Sequence, residues 1–142
     1  MLRSVNSLLN EKGSDVWSVR PGDFVFDALE IMADKDVGAL VVQDGEKIVG
    51  VFSERDYARH GRCSAETCVS EFMSKEVTWV KPTHNVGECM ALMTNQHVRH
   101  LPVVDQGKLV GLISIGDVVK AALSAQGLLI DQLEKYIIGS AA

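Results

Sequence analysis

Two short segments of the chain place a serine three residues before an aspartate, where a predicted strand gives way to a helix. The pairs are Ser53 with Asp56 and Ser114 with Asp117. A hydroxyl and a carboxylate at this spacing can form a capping box on the unpaired N–H groups of a first helical turn. They also suit nucleotide binding, because a helix N-terminus attracts phosphate and a nearby carboxylate can accept hydrogen bonds from ribose hydroxyls. The local sequence leaves capping and nucleotide binding equally open.

These pairs belong to an internal repeat with a period of 61 residues, since Asp56 recurs as Asp117. Residues 50–56 (Gly-Val-Phe-Ser-Glu-Arg-Asp) return as residues 111–117 (Gly-Leu-Ile-Ser-Ile-Gly-Asp). The register continues without a gap through 16–59 against 77–120. Each unit of a repeat covers its apolar face with its neighbour, so we expect any ligand in the cleft between the two copies.

Hydrophobic patterning predicts the order strand–helix–strand–strand–helix in each copy. The first copy should have strands at 16–19, 39–42 and 48–52, with a hairpin turn at Asp44-Gly45. Asp23 is the expected N-cap of the first helix, and the second helix should run from Ser53 to about His60. The second copy should have strands at 77–80, 101–104 and 109–113.

The chain divides into five segments on this pattern. They are an N-terminal helix at 1–13, the first copy at 14–61, a linker with a short helix at 62–74, the second copy at 75–123 and a C-terminal helix at 124–142. The last helix carries a wide apolar stripe formed by Leu128, Leu129, Leu133, Tyr136 and Ile137. One chain has little with which to cover such a stripe, so the sequence predicts a homodimer.

Composition excludes several classes of function. A net charge of −5 argues against nucleic acid as a partner, because phosphate contacts need a basic surface. No apolar stretch reaches the roughly 20 residues of a membrane span, and the polar N-terminus has no signal-peptide core, so a cytoplasmic protein is expected. The three cysteines suggest reduced thiols. His60, Cys63 and Cys68 match no common zinc spacing, so no metal site is predicted.

The repeated pattern resembles a tandem pair of cystathionine-β-synthase (CBS) domains over about residues 14–123. The segments that carry the resemblance are 50–56, 111–117, 37–42 and 98–104. It implies an α/β (α+β) fold in which two β-α-β-β-α repeats form one module with a pseudo-twofold axis. In such proteins the serine and the aspartate of the motif hold the phosphate and the ribose of an adenine nucleotide. Both copies keep both residues.

The resemblance implies two unequal ligand sites. In the paired fold, the start of the second sheet strand of one copy faces the phosphates held by the other copy. The first site should therefore combine Ser53, Arg55 and Asp56 with the cations of the second copy, Arg99 and His100. The second site, on Ser114 and Asp117, should meet only Gly38 and Ala39. The expected apolar adenine slots are Val16, Trp17 and Val37 in site 1 and Val77, Thr78 and Val98 in site 2, although ordinary core packing explains these side chains equally well.

The sequence therefore predicts a non-catalytic regulatory module that binds an adenine nucleotide, either AMP, ADP, ATP or NAD(H), and reports energy or redox state to an unidentified partner protein. No catalytic cofactor is expected. Two alternatives are weighed against it. A small nucleotide-dependent enzyme would need machinery like the catalytic barrel of inosine monophosphate dehydrogenase, which takes on the order of 250 residues. A dimerisation module without ligand would have no use for two intact Ser–Asp pairs.

Overall fold

Two similar sheets, each flanked by helices, make up the part of the chain that this computed structural model describes, residues 3–123. The helices are α1 (Val5–Lys12), α2 (Val25–Lys35), α3 (Glu54–His60), α4 (Val69–Phe72), α5 (Val86–Gln96) and α6 (Ile115–Leu123). The strands are β1 (Ser18–Val19), β2 (Ala39–Asp44), β3 (Lys47–Ser53), β4 (His100–Asp105) and β5 (Lys108–Ser114). The predicted helix at 124–142, with its apolar stripe, lies outside the described residues.

The sheets follow the predicted order of elements. In the first copy, β1 pairs parallel to β2, which pairs antiparallel to β3. In the second copy, β4 and β5 form the same hairpin, but the strand expected at 77–80 is reduced to one parallel bridge between Val80 and Val103. The hairpin signalled by Asp44-Gly45 is present, with its turn one residue later at Gly45-Glu46 between the paired Asp44 and Lys47, and Gly45 adopts a positive φ of 64°. The mixed α+β class and the two repeats are thus confirmed.

Each sheet is covered by the helix that precedes the other copy. The buried residues of α1, Val5, Leu8 and Leu9, belong to the core of the second copy. Val69 and Phe72 of α4 belong to the core of the first copy. The two copies are therefore interlocked by an exchange of their leading helices.

Matching backbone hydrogen bonds fix this exchange at the start of α2 and α5. The N–H of Val25 donates to Thr67 O at 2.9 Å, and the N–H of Val86, its counterpart in the repeat, donates to Arg3 O at 2.8 Å. In return, the N–H of Val69 donates to Asp23 O, and the N–H of Val5 donates to His84 O. The same four-residue arrangement thus occurs twice.

Two glycines let the exchanged segments approach the sheets. A Cβ atom at Gly50 would lie 2.6 Å from Met73 Sδ and 2.8 Å from Ser74 O. A Cβ atom at Gly111 would lie 2.7 Å from Leu9 Cδ2. Glycine recurs at this repeat position because a crossing segment occupies the space of a side chain in both copies.

The start of α2 differs from the prediction that Asp23 caps it. Phe24 is the N-cap and makes no side-chain cap bond, whereas Asp23 Oδ2 accepts a hydrogen bond from the N–H of Arg20 at 2.8 Å. Phe24 also forms a β-bridge with Cys68. The main chain at this position is held by the crossing segment, so the carboxylate closes the preceding turn instead.

Candidate functional site

A cavity of about 220 Å³ opens between the two copies, where the start of α3 faces the start of β4. Both copies contribute to its wall, as the sequence predicted for a cleft between repeats. Its lining comprises Gly38, Val51, Ser53, Glu54, Arg55, Asp56, Arg59, Ser74, Glu76, Val77, Thr78, His97, Val98, Arg99 and His100.

Ser53 and Asp56 form the capping box of α3. The N–H of Asp56 donates to Ser53 Oγ at 3.2 Å, and the N–H of Ser53 donates to Asp56 Oδ2 at 2.9 Å. The N–H of Glu54 donates to the carbonyl of Gly38 at 3.1 Å, which ties the helix to β2. Capping, one of the two interpretations of the motif, is therefore realised, and the remaining carboxylate oxygen decides whether a ligand can also bind.

That second oxygen, Asp56 Oδ1, faces a weak internal partner. The hydroxyl of Ser74 lies 3.3 Å from it, beyond the usual separation of O–H···O hydrogen bonds. Asp56 is half-buried and lies on the cavity wall. A ribose hydroxyl could therefore replace the hydroxyl of Ser74 without breaking the capping box.

Three guanidinium groups at the cavity lack an acidic partner. Within residues 3–123, the ion pairs do not include Arg55, Arg59 or Arg99. Arg55 and Arg59 are one helical turn apart on α3, which puts them on one face. Arg99 comes from the opposite copy, just before β4. Unpaired arginines that converge from two sides suit a phosphate group, because the guanidinium fork can bond two of its oxygens.

His100 lies half-buried at the boundary between the copies. Burial lowers its pKa below the ordinary value of 6.5; Asp117 and Asp56 act in the opposite direction, whereas Lys12 and Arg99 reinforce the lowering. The net effect keeps the imidazole neutral at pH 7. Gly38 lies beside this ring, since a Cβ atom there would stand at the ordinary contact distance of 3.8 Å from His100 Nε2.

The structure brings together five residues assigned to the first site, which are Ser53, Arg55, Asp56, Arg99 and His100. It also places in this cavity four residues that the sequence assigned to the second site: Gly38, Val77, Thr78 and Val98. The apolar wall beside Asp56 thus comes from the opposite copy. The sequence-based assignment takes the slot and the carboxylate from one copy, but in the structure the start of the second copy lies against the helix cap of the first.

The other residues assigned to the first site lie elsewhere. Val16 borders a separate cleft of about 240 Å³, together with residues of the β4–β5 hairpin. The Trp17 ring is covered by Lys35, whose Nζ lies 4.4 Å from the ring centroid. Val37 packs against the core of the first copy. Ala39, assigned to the second site, is 2% exposed and pairs with Ser53 in the sheet.

The second Ser–Asp pair has the same capping geometry but a different neighbour. The N–H of Ser114 donates to Asp117 Oδ2 at 2.9 Å, and the N–H of Asp117 donates to Ser114 Oγ at 3.2 Å. Lys12 of α1 also reaches Asp117 Oδ2, with its Nζ 2.5 Å away. Burial alone would raise the pKa of Asp117, but the hydrogen bonds from Lys12 and Ser114 outweigh it and hold the pKa below its usual value.

Sequence reasoning missed five polar residues of the cavity, among them Glu54, which follows Ser53 at the start of α3. Arg59 could have been found, because it lies four residues after Arg55 on the same helix face. His97 ends α5 with a positive φ of 55° and precedes Val98 in the wall. Ser74 and Glu76 follow α4, and only the exchange of leading helices brings them to the site. Nothing in their local sequence signals that placement.

The histidine and cysteines considered for a metal have other contacts. The His60 ring stacks on Phe72 with 4.2 Å between the ring centroids, and its Nδ1 lies 2.8 Å from Asp56 O. Cys63 Sγ donates to Ser64 O at 3.6 Å. Between residues 3 and 123, no group of three or more His, Cys, Asp or Glu side chains is placed to hold a metal ion.

Comparisons with known proteins agree with the repeat. The sequence model of the CBS domain matches the chain twice, at residues 12–62 and 69–124. The chain is 38% identical over 136 residues to the mitochondrial CBS domain-containing protein CBSX3 of Arabidopsis thaliana, covering 89% of this chain and 66% of that protein. A solved structure of a putative signal-transduction protein with CBS domains from Burkholderia ambifaria shares 47% identity and a TM-score of 0.80, covering 87% of this chain and 96% of that one.

Two further comparisons bear on ligand and activity. The structure of CBSX2 in complex with AMP matches with 28% identity and a TM-score of 0.67, over 87% of this chain and 98% of that chain. The inosine-5'-monophosphate dehydrogenase of Methanocaldococcus jannaschii is 32% identical over 108 residues, which are 75% of this chain but only 21% of the enzyme. The likeness to that enzyme is therefore confined to a minor part of its length.

The comparisons leave the cellular location open. CBSX3 is described as mitochondrial, so the cytoplasmic location expected from the sequence stays a prediction. No helix in the described part of the chain, residues 3–123, has the length and apolarity needed to cross a membrane.

Proposed function

The chain belongs to the CBS-domain family, and from that premise we propose that it is a non-catalytic regulatory module that binds an adenine nucleotide between its two repeats. The observation that carries the proposal is the cavity on which Asp56 and the unpaired Arg55, Arg59 and Arg99 converge. Ribose hydroxyls would bond Asp56 Oδ1, and the phosphate would lie among the arginines. Val77, Thr78 and Val98 would contact the base.

The size of the cavity favours a mononucleotide. Its volume of about 220 Å³ lies below the roughly 300–1,000 Å³ of sites that enclose drug-sized ligands. A mononucleotide could place its nucleoside inside and its phosphate at the mouth, whereas NAD(H) would leave much of its surface outside. The AMP complex of CBSX2 supports the same choice. AMP, ADP and ATP are therefore the first ligands to test.

The ligand would act by joining the two repeats. Asp56 and Arg55 belong to the first copy, whereas Arg99, Val98 and Thr78 belong to the second. A nucleotide that bonds both sides stabilises one relative arrangement of the copies, and a partner protein that recognises this arrangement would receive the signal. Catalysis is not proposed, because the likeness to a named enzyme covers only 21% of that enzyme.

The test is a thermal-shift and calorimetric screen of wild type and Asp56→Asn with AMP, ADP, ATP, NAD, NADH and S-adenosylmethionine. A ligand present at 100 times its Kd adds about 2.7 kcal/mol of stability to the wild type. Asp56→Asn should lose most of this shift. The matched control is Asp105→Asn, an exposed acid at the β4–β5 turn, which should keep it. Equal binding to wild type and Asp56→Asn would refute the assignment.

A further inference from the structure

The two Asp residues of the repeat have neighbours that differ in charge. Asp56 Oδ1 meets the neutral hydroxyl of Ser74, at 3.3 Å. Asp117 Oδ2 meets the ammonium group of Lys12, at 2.5 Å. Both neighbours come from the exchanged segments, Ser74 from just after α4 and Lys12 from the end of α1. The exchanged segment therefore brings a hydroxyl near the non-capping oxygen of Asp56 and a cation onto the capping oxygen of Asp117.

The ammonium group is held by more than the carboxylate. Lys12 Nζ also donates to the carbonyl of Leu112 at 2.9 Å, on the strand that leads to Ser114. Its helix is fixed on the second core by the buried Leu8 and Leu9. The helix ends at Gly13, whose N–H donates to Leu9 O at 2.8 Å. Lys12 thus projects from an anchored helix, and its charge is favourably placed in the last helical turn.

Lys12 makes Asp117 a weaker acceptor for a ligand than Asp56. Oδ2 of Asp117 accepts hydrogen bonds from the N–H of Ser114 and from Lys12, so its charge is already paired, whereas Asp56 is in none of the ion pairs of residues 3–123. The lysine side chain and the Asp117 side chain are 35% and 24% exposed, so the pair is partly shielded from water. A ribose at Asp117 would compete for the carboxylate with an ammonium group that the Leu112 carbonyl also holds in place. Losing a charge-assisted bond of this kind disfavours ligand entry.

We propose that Lys12 competes with the ligand for the Asp117 carboxylate and so blocks the second of the two repeat-related sites. Each chain therefore binds nucleotide first at the Asp56 cavity. This inference rests on the proposed function, because it concerns the second site for the same class of ligand. The effect involves residues of this chain alone: a cation on the leading helix forms an ion pair with the carboxylate that would otherwise bind ribose.

The experiment is calorimetric titration of the full chain with AMP, comparing wild type with Lys12→Met. Methionine keeps the apolar stem of the lysine and removes its charge, so α1 remains packed. Wild type should bind one equivalent per chain, and Lys12→Met should bind a second, with about two- to fivefold tighter affinity for that site, as expected for a partly exposed ion pair. Lys47→Met, at an exposed strand end and in none of the ion pairs of residues 3–123, is the matched control and should behave as wild type.

Adding Asp117→Asn to Lys12→Met assigns the new equivalent, because it should remove the second site and leave the first. If Lys12→Met binds AMP with the stoichiometry and affinities of wild type, or weakens the second site, the inference is overturned while the proposed function stands. If wild type binds nothing but Lys12→Met gains a site that Asp117→Asn removes, the Asp56 assignment fails and the competitor role survives. If neither protein binds any nucleotide of the screen, both are refuted.

Discussion

Gly38 and His100 face each other across the boundary between the copies, and a Cβ atom on Gly38 would stand 3.8 Å from His100 Nε2. The repeat aligns Gly38 with Arg99, so a small residue in one copy corresponds to a cation in the other. That difference leaves the Arg99 guanidinium on one side of the boundary only. The two copies share the same hairpin and flanking helices but differ in charge at this boundary.

Arg99→Ala should weaken the binding of ATP and ADP more than the binding of adenosine. Arg99 has no acidic partner in residues 3–123 and lines the cavity, so its charge is available to phosphate. Loss of a hydrogen bond to a charged group costs roughly 1.5–3 kcal/mol, about ten- to a hundredfold in affinity. Calorimetry at low and high salt measures the effect, which should shrink at high salt.

Arg62→Ala is the control for that experiment, because Arg62 is exposed and does not line the cavity. This substitution should change the affinity for either ligand by no more than a small factor. Equal losses for adenosine and ATP in Arg99→Ala would mean that the side chain supports the fold of the site and does not bind phosphate.

Affinity for ATP should rise as the pH falls from 8 to 6.5, through His100. Its pKa is lowered in the free protein, chiefly by burial, so the ring is neutral at pH 7. An anionic ligand nearby stabilises the imidazolium and raises this pKa in the complex. Binding then takes up protons, which makes it tighter at lower pH. His100→Gln should flatten the profile, and a profile unchanged by that substitution would exclude His100 as its source.

The same group makes the free protein less stable at low pH. The unfolded chain binds a proton at His100 more readily than the folded chain, because folding lowers the pKa. Its contribution to stability is therefore complete above the ordinary pKa of about 6.5 and is lost as the pH falls through the folded pKa. Urea unfolding of wild type and His100→Gln between pH 5 and 8 measures this difference.

Gly50→Ala should destabilise the protein more than Gly111→Ala. The new methyl group at 50 would lie 2.8 Å from the backbone oxygen of Ser74, whereas the one at 111 would meet the movable end of Leu9. Overpacking a filled site costs about 1–3 kcal/mol, and the larger value is expected where backbone must move. Urea denaturation gives both values. A smaller loss of stability for Gly50→Ala than for Gly111→Ala would show that the backbone after α4 moves at little energetic cost.

Thiol labelling should separate the three cysteines. Cys89 is fully buried, and burial, with a smaller effect of Glu88, raises its pKa to about 11. Since the thiolate is the reactive form, Cys89 should label only when the protein unfolds. The half-buried Cys63 and Cys68 should label in the folded state. Mass spectrometry after iodoacetamide treatment counts the labels, and rapid labelling of Cys89 in native protein would contradict its burial.

A homodimer remains the prediction for the oligomeric state. Beyond the apolar stripe outside the described residues, Met90, Ile115 and Val119 are 43–46% exposed and border a common groove on α5 and α6. Val119→Asp should shift the mass measured by light scattering from dimer towards monomer, whereas Ser14→Asp, in an exposed loop, should not. A monomeric wild type at micromolar concentration would refute the prediction.

The sequence predicted what depends on local spacing. The Ser–Asp interval of three residues determines the capping box, so α3 and its cap could be anticipated at Ser53 and Asp56. Arg99 was also expected beside Asp56, through the known arrangement of paired repeats. Two features depend on contacts between distant segments and escaped prediction. Val77 and Thr78 face the cap of the other copy, and Lys12 reaches Asp117 across 105 residues because α1 packs on the second core.

The exchange of leading helices has a consequence for how such a chain could arise and be divided. α1 covers the core that follows α4, and α4 covers the core that follows α1. A half-length peptide with one leading helix and one copy would therefore have a helix that packs on the core of a neighbouring peptide and no helix that packs on its own core. It could bury its core only by intertwining with a second, identical peptide. Fusion of two such peptides turns that exchange between molecules into one within a single chain, and the two halves can then acquire different residues, as at Lys12.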